Sequence, residues 1–532
     1  MESIAYQKKE IEKASQSFFS GTVLSRVLGL VRDILMAYTF GASAAISALM
    51  VAFRLSNLFR RLFGEGALHA AFVPAYEKIR ATSSTQAASF FTDLSFLLLG
   101  TLFLVTLLTE GVFYILLQKG QLSPGNYQIL SLMVLLMPSL FFICHAAFCS
   151  SFLQCQGTYF LPAISPVFFN LFWIAGVFFS KTLPINQAVS HLAIFILMGL
   201  IFQWVSLFPS TWHLLKGQLK GHSISFRGMK ESFMVLGKPF LLGVVGVSTT
   251  QLNNALDALF ARMVHLKGPA YLWYALRIEQ VPLAIFGVAL AGALLPTFSR
   301  AYSQNKKSFF SLLDFSLAKS MGLLVPCSVA LFFIGPAILN LLFARGRFGA
   351  DTALQATYCL WAYGSGLAFQ GITLILAAAF YTLGNYKVTT KATFYTVALN
   401  LLLNTLFAFI LKWGAWGVAL ATSISACFQM IFLLKEFSKS LPDLKLPQFK
   451  ESALKVSLLS FLSGALMILF GIHLNPFILN KAFLSFPRSL PEQIFNFGFQ
   501  TTLFLTFLFT LSKIFKVKEV LGLLDFIPRF KK

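Results

Sequence analysis

The chain of 532 residues is 57% hydrophobic and only 11% charged, with a mean hydropathy of +0.75. Soluble globular proteins carry about 25% charged residues, which excludes a soluble fold. The net charge of +23 would suit nucleic acid, but the basic residues sit in short clusters between apolar runs, the pattern of cytoplasmic loops in a membrane protein, so no nucleic-acid partner is expected.

The first residues, MESIAYQKKEIEKASQ, are polar and lead straight into an apolar segment without an A-x-A-like cleavage site. Residues 1–17 therefore read as a retained cytoplasmic end, not a cleaved signal peptide. From there, apolar runs of bilayer-spanning length recur to the end of the chain, giving about fourteen spans. They fall near 18–41, 44–74, 88–117, 126–152, 160–180, 187–214, 232–263, 269–300, 309–343, 352–383, 388–411, 414–436, 452–473 and 492–514. The expected fold is an all-α polytopic membrane protein. An even number of spans puts both termini on one side. About 25 Lys and Arg residues fall on that side against about 9 on the other, which makes it the cytoplasm.

An internal repeat organises the spans. FRLSNLFRRLFGEGALHAAFVP (53–74) is echoed by LRIEQVPLAIFGVALAGALLP (276–296): Arg54 matches Arg277, Phe63-Gly64 matches Phe286-Gly287, and Pro74 matches Pro296 after one gap. Each segment is the second span of a set of six. The fifth spans also correspond, GTYFLPAISPVFFNL opening like GNYKVTTKATFYTVALNL. The plan is two pseudo-symmetric six-helix lobes plus two C-terminal helices: an N-lobe over 18–215, a basic cytoplasmic linker over 216–231, a C-lobe over 232–440, and helices 13–14 with a basic cytoplasmic tail over 441–532. Repeats of this kind typify transporters that work by alternating access.

Enzymatic chemistry finds no support. The six cysteines, Cys144, Cys149, Cys155, Cys327, Cys359 and Cys427, form no CxxC pair and read as small buried hydrophobes. The seven histidines have no metal-ligand spacing, and GxxxxGK[ST], HExxH and GxSxG are all missing. No enzyme activity, cofactor or metal is expected.

What remains unusual is charge inside the spans. The first carries Arg26, Arg32 and Asp33; the second Arg54, Arg60, Arg61 and Glu65; the seventh Asn253, Asn254, Asp257 and Arg262; the eighth Arg277 and Glu279. Each charge at the centre of a spanning helix costs roughly 2.5–3.5 kcal/mol on insertion scales. On a helical wheel Arg54 and Arg61 fall within about 20° of one another and Glu65 joins the same stripe, while Arg60 points about 120° away. Arg262 and Lys238 read as helix-end charges reaching the interface. Arg26 is too deep for that reading. Charges so placed face a water-filled cavity and mark a substrate path. An excess of arginine over acid implies an anion, because the guanidinium fork binds phosphate oxygens in bidentate fashion. The substrate class is a phosphate-bearing head on a greasy tail.

The motifs SRVLGLVRD (25–33), VAFRLSNLFRRLFGEGALHAAFVP (51–74) and YALRIEQVPLAIFGVALAGALLP (274–296) closely resemble MurJ/MviN, the bacterial lipid II flippases of the multidrug/oligosaccharidyl-lipid/polysaccharide exporter superfamily. The resemblance runs over almost the whole chain. It implies translocation of lipid II, the undecaprenyl-pyrophosphate-linked disaccharide-pentapeptide of peptidoglycan biosynthesis, with other cell-wall synthesis or division proteins as further partners. The family's cavity arginines match Arg26, Arg32, Arg60 and Arg277, with Asp33, Arg54, Arg61 and Glu65 as supporting charges. Arg26, Arg60 and Arg277 are the expected contacts of the pyrophosphate-sugar head. This chain departs from the family at Ser47, at Ser56-Asn57 and at Leu276, where acids or a Pro-Asn pair are frequent; Asp257 and Glu279 are expected to supply part of the missing negative charge. The alternative is an exporter of the same superfamily for another polyprenyl-pyrophosphate sugar or for drugs.

Overall fold

The computed structural model describes residues 2–60, 67–120, 122–219, 226–441, 445–474 and 489–521, and these form helices with no β-strand among them. Among the described residues, ten helices are long and apolar enough to cross a membrane, eleven when one bent pair is counted as a single span. Each of the fourteen spans expected from hydropathy lies on a helix or on a broken helix pair; in the second, 44–74, residues 61–66 lie outside the described residues.

The N-terminal half runs α1 (Glu2–Phe40), α2 (Ala44–Arg60), α3 (Ala67–Arg80), α4 (Ser84–Gln118), α5 (Pro124–Leu136), α6 (Ser139–Cys155), α7 (Phe160–Ile164), α8 (Pro166–Ser180) and α9 (Ile185–Gln218). Gly41 stops α1 at φ 59°, a left-handed conformation that glycine adopts without a Cβ penalty. Pro138 lacks a backbone N–H and separates α5 from α6, which meet at 46°. Pro166 starts α8 as its first residue, where a missing N–H costs nothing. The second half runs α10 (Phe226–Val264), α11 (Gly268–Pro282), a π-helical turn (Leu283–Val288), α12 (Ala289–Gln304), α13 (Lys306–Phe333), α14 (Gly335–Phe343), α15 (Ala350–Gly364), α16 (Leu367–Thr382), α17 (Tyr386–Thr405) with a second π-helical turn (Leu406–Ile410), α18 (Ala415–Ser440), α19 (Pro447–Leu474), α20 (Leu490–Ile514) and α21 (Lys518–Leu521).

The chain divides into two compact units, Met1–Ala258 and Leu259–Lys532. The same neighbour pattern recurs inside each. In the first, α2–α3 pack on α5–α6, α4 lies against α3 and α6, α6 against α9, and α8 against α9. In the second, α11–α12 pack on α15–α16, α13 lies against α12 and α16, both α15 and α16 against α18, and α17 against α18. Span for span, these are the same pairings: second with third and fourth, third with fourth, fourth with sixth, fifth with sixth. The repeat read from two sequence motifs thus extends to the packing of each unit.

Aromatic side chains bind the first unit together. Phe72 of α3, Phe91 of α4, and Phe148 and Phe152 of α6 are fully buried, with Phe91–Phe152 centroids 4.3 Å apart and Phe72–Phe148 centroids 4.7 Å apart. In a bilayer, where lipid tails are as apolar as leucine, such close contact is the main attraction between helices.

The first of the two C-terminal helices is fixed to α13 by a carboxylate. Asp314 of α13 is buried and accepts from the backbone N–H groups of Gln448 (3.1 Å) and Phe449 (2.9 Å), the first donors of α19 left without intrahelical acceptors. On the same side Ser452 of α19 donates to Glu519 of α21 at 2.7 Å, and a Cβ added to Gly322 of α13 would lie 2.6 Å from the Glu519 carbonyl oxygen. The spacing between these helices therefore requires glycine at 322. Asp314→Ala is expected to lower stability by about 1–2 kcal/mol, the usual cost of losing a helix cap, and Asp314→Asn by less; thermal unfolding in detergent measures both.

Candidate substrate-binding site

The structure sorts the intramembrane charges into locked and exposed ones. In α1, Arg32 is 5% exposed and Asp33 2%. Arg32 wraps onto its neighbour: Nε donates to Asp33 Oδ1 at 3.0 Å, and Nη2 donates to Oδ1 and Oδ2 at 2.9 and 3.1 Å. Its remaining edge reaches across to α8, where Nη1 donates to Asn170 Oδ1 at 3.0 Å. The guanidinium plane covers the Trp173 ring at 4.4 Å and approaches Phe169 at 5.7 Å. Those two rings also hold α2, since Phe53 stacks on Phe169 at 6.0 Å and meets Trp173 edge-on at 5.0 Å. A buried ion pair offsets its desolvation cost only when further hydrogen bonds satisfy the remaining donors and acceptors, and here Asn170 and the two rings do so.

Arg26 is different. It lies on the same helix about two turns earlier and is exposed. Exposure on a spanning helix means hydrocarbon or water, and the cost of an ion in hydrocarbon selects water. Arg54 of α2 is half-buried. Arg61 and Glu65, with the side chain of Arg60, lie outside the described residues, as does the side chain of Lys238.

In the second unit Arg277 is half-buried and sits 4.4 Å over the ring of Trp273, one turn earlier on α11. The contact limits the rotamers of the guanidinium. Glu279, two residues on, points the other way. It is 1% exposed and accepts from Gln370 Nε2 of α16 at 3.2 Å. Beyond Pro282, α11 passes into the π-helical turn, where Gly287 faces Gly371 of α16. The junction of α11 and α12 is thus tied to α16 by one polar contact and one close glycine pair. Asp257 on α10 is 3% exposed, with Asn253 Nδ2 3.5 Å from its Oδ2. Arg262, near the end of α10, is buried and donates to the carbonyl of Leu266.

Sequence reasoning overlooked several polar groups that the fold brings together. Asn170 and Asn400 occupy matching places in the fifth helices, in FFNL and ALNL, and both are buried. Asn170 bonds to Arg32 and to the carbonyl of Ser25; Asn400 donates to Thr422 of α18 at 3.3 Å and accepts from Asn404 at 2.7 Å. His145 of α6 accepts from Trp204 Nε1 of α9 at 2.8 Å. The available signal was a lone amide or imidazole in an apolar span, which is as informative as a charge.

The family model described as lipid II flippase MurJ matches residues 36–487. The chain belongs to the lipid II flippase MurJ family. The probable lipid II flippase MurJ of Chlamydia pneumoniae is 28% identical over 522 residues, covering 96% of this chain and 93% of that protein. That of Vibrio cholerae is 30% identical over 433 residues, covering 78% and 80%. A solved structure of lipid II flippase MurJ in an inward closed conformation shares the fold, with a TM-score of 0.75 at 24% identity over 94% of this chain and 99% of its own. A multidrug resistance MATE family transporter of the MOP superfamily, inward-facing, follows with a TM-score of 0.61 at 15% identity over 82% of this chain and 95% of its own. The MurJ-type architecture makes this a multi-pass membrane transporter, in which the charges above occupy the first, second, seventh and eighth spans.

The locked and exposed arginines give opposite expectations. Arg32→Ala strips Asp33 of its buried partner and is expected to cost about 3–5 kcal/mol. Arg26→Ala is expected to leave the unfolding temperature nearly unchanged, and thermal unfolding of the two purified variants compares them directly.

Proposed function

We propose that this protein translocates lipid II from the cytoplasmic to the outer leaflet of the inner membrane by alternating access, with Arg26, Arg60 and Arg277 contacting the pyrophosphate-sugar head. The observation that carries this reading is the contrast within α1: Arg32 is fully engaged by its own lobe, whereas Arg26 stands exposed on a spanning helix. A fold that compensates one arginine so completely yet leaves another to water provides a site for an anion brought from outside. The names of the relatives supply the substrate, and the arginine excess matches its pyrophosphate.

The lobes follow the sequence divisions, 18–215 and 232–440, joined by the basic stretch 216–231, with both termini in the cytoplasm. Asp33, Arg54, Arg61, Glu65, Asp257 and Glu279 act as supporting charges, and Arg32 serves the geometry of α1. Binding of the head neutralises repelling arginines and lets the cytoplasmic side close. The chain carries no nucleotide-binding motif, and the cycle draws on the membrane potential or an ion gradient. With the inside negative, inward return of an empty, net positive site is favourable by about 2.3 kcal/mol per charge per 100 mV.

The wild-type gene is expected to rescue a bacterium depleted of its own lipid II flippase, and the Arg26→Ala/Arg60→Ala gene to fail at equal membrane abundance. Rescue by both would remove the arginines from the mechanism; rescue by neither, with both proteins in the membrane, would count against the flippase reading.

A further inference from the structure

We infer that Asn170 is a positioning residue for substrate recognition: its carboxamide holds α1 at the azimuth that exposes Arg26. The inference rests on the reading of Arg26 as a contact of the pyrophosphate head, and adds to it a residue on another helix, 144 positions away in the sequence.

The carboxamide of Asn170 is buried and uses both ends on α1. Its Oδ1 accepts from Arg32 Nη1, and its Nδ2 donates to the Ser25 carbonyl at 3.0 Å. The Ser25 carbonyl belongs to the peptide unit that carries the Arg26 amide, so the second bond fixes the backbone from which Arg26 projects. Asn170 thus grips α1 at two points about two turns apart, roughly 10 Å along the axis. A third point lies one turn before Ser25. Gly21 presses on α7, where an added Cβ would come within 2.9 Å of Ala163 Cβ and 3.1 Å of its carbonyl carbon. Gly21, Ser25 and Arg32 share one face of α1, and Arg26 stands about 100–120° away from the last two. Rotation or sliding of α1 against α7–α8 breaks the Asn170 bonds and, in the same movement, carries Arg26 off its exposed position.

The amide is suited to this task in a way its isosteres are not. Leucine fills similar space but offers Arg32 no acceptor and the carbonyl no donor. Aspartate keeps, and by its charge strengthens, the bond to Arg32, but it presents an oxygen to the Ser25 carbonyl where a donor stood. Asn170→Asp therefore separates the anchoring of Arg32 from the positioning of the Arg26 peptide.

The test measures binding of undecaprenyl pyrophosphate to the purified full-length protein in detergent by thermophoresis, for Arg26→Ala, Asn170→Asp, Asn170→Leu and the Arg26→Ala/Asn170→Leu double variant, with unfolding temperatures taken in parallel. Arg26→Ala is expected to weaken binding about tenfold, the loss of one charge-assisted contact. Asn170→Asp should weaken it by a similar factor while unfolding within a few degrees of wild type. The double variant should bind no more weakly than Arg26→Ala alone, because Asn170 acts through Arg26. Wild-type binding by Asn170→Asp overturns the inference, and so does a double variant weaker than Arg26→Ala by the full factor of Asn170→Leu, since a general structural role would add to the loss. Wild-type binding by Arg26→Ala overturns the assignment of Arg26 itself, and this inference with it.

Discussion

A guanidinium within a bilayer has to be paired or wet, because an ion in hydrocarbon costs several kcal/mol, and α1 meets that constraint in both ways within two turns. Arg32 is paired: Asp33, Asn170 and two aromatic rings enclose it. Arg26 is exposed, and the cost of an ion in hydrocarbon favours water around it. The paired arginine explains why α1, α2 and α8 hold a common arrangement despite their charge, since the Trp173 and Phe169 rings contact side chains from both other helices. In the proposed reading the exposed one faces a water-filled cavity whose excess positive charge suits an anion.

The two units solve related problems with related parts. In each, an arginine lies 4.4 Å over a tryptophan ring, Arg32 on Trp173 and Arg277 on Trp273, although the first pair joins two helices and the second lies within one. In each, an asparagine of the fifth span is buried and bonds to a neighbouring helix, to α1 in one unit and to α18 in the other. The equivalences stop at acids. Asp33 pairs directly with an arginine, whereas Glu279 is held by the neutral amide of Gln370 beside a π-helical turn. Beyond Glu279 the helical winding loosens into the π-helical turn Leu283–Val288.

Hydropathy made the spans legible because burial in lipid imposes one requirement on about twenty consecutive residues. It could not show the breaks inside them. Pro138, Pro166 and the Gly335-Pro336 pair divide spans that read as continuous, since a spanning helix tolerates proline and only its neighbours decide whether it bends. The π-helical turns at 283–288 and 406–410 left no compositional trace. Among the site residues, those placed by charge were visible: Arg26, Arg32, Asp33, Arg277 and Glu279 all stood out against an apolar background. Their partners were not, because Asn170 and Gln370 lie 138 and 91 positions from the groups they bind. Charge singled out these residues, and only packing separated a buried, bonded arginine, Arg32, from an exposed one, Arg26.

The central claim is that this chain moves lipid II and that exposed arginines, not locked ones, meet its head. Transfer of fluorescent lipid II across the bilayer of vesicles reconstituted with the purified protein, under an imposed potential, tests it most directly. Wild-type protein should transfer the lipid, Arg26→Ala should lose most of the rate while remaining folded, and dissipating the potential should slow the wild type. Undiminished transfer by Arg26→Ala, or none by a folded wild type, would contradict the account.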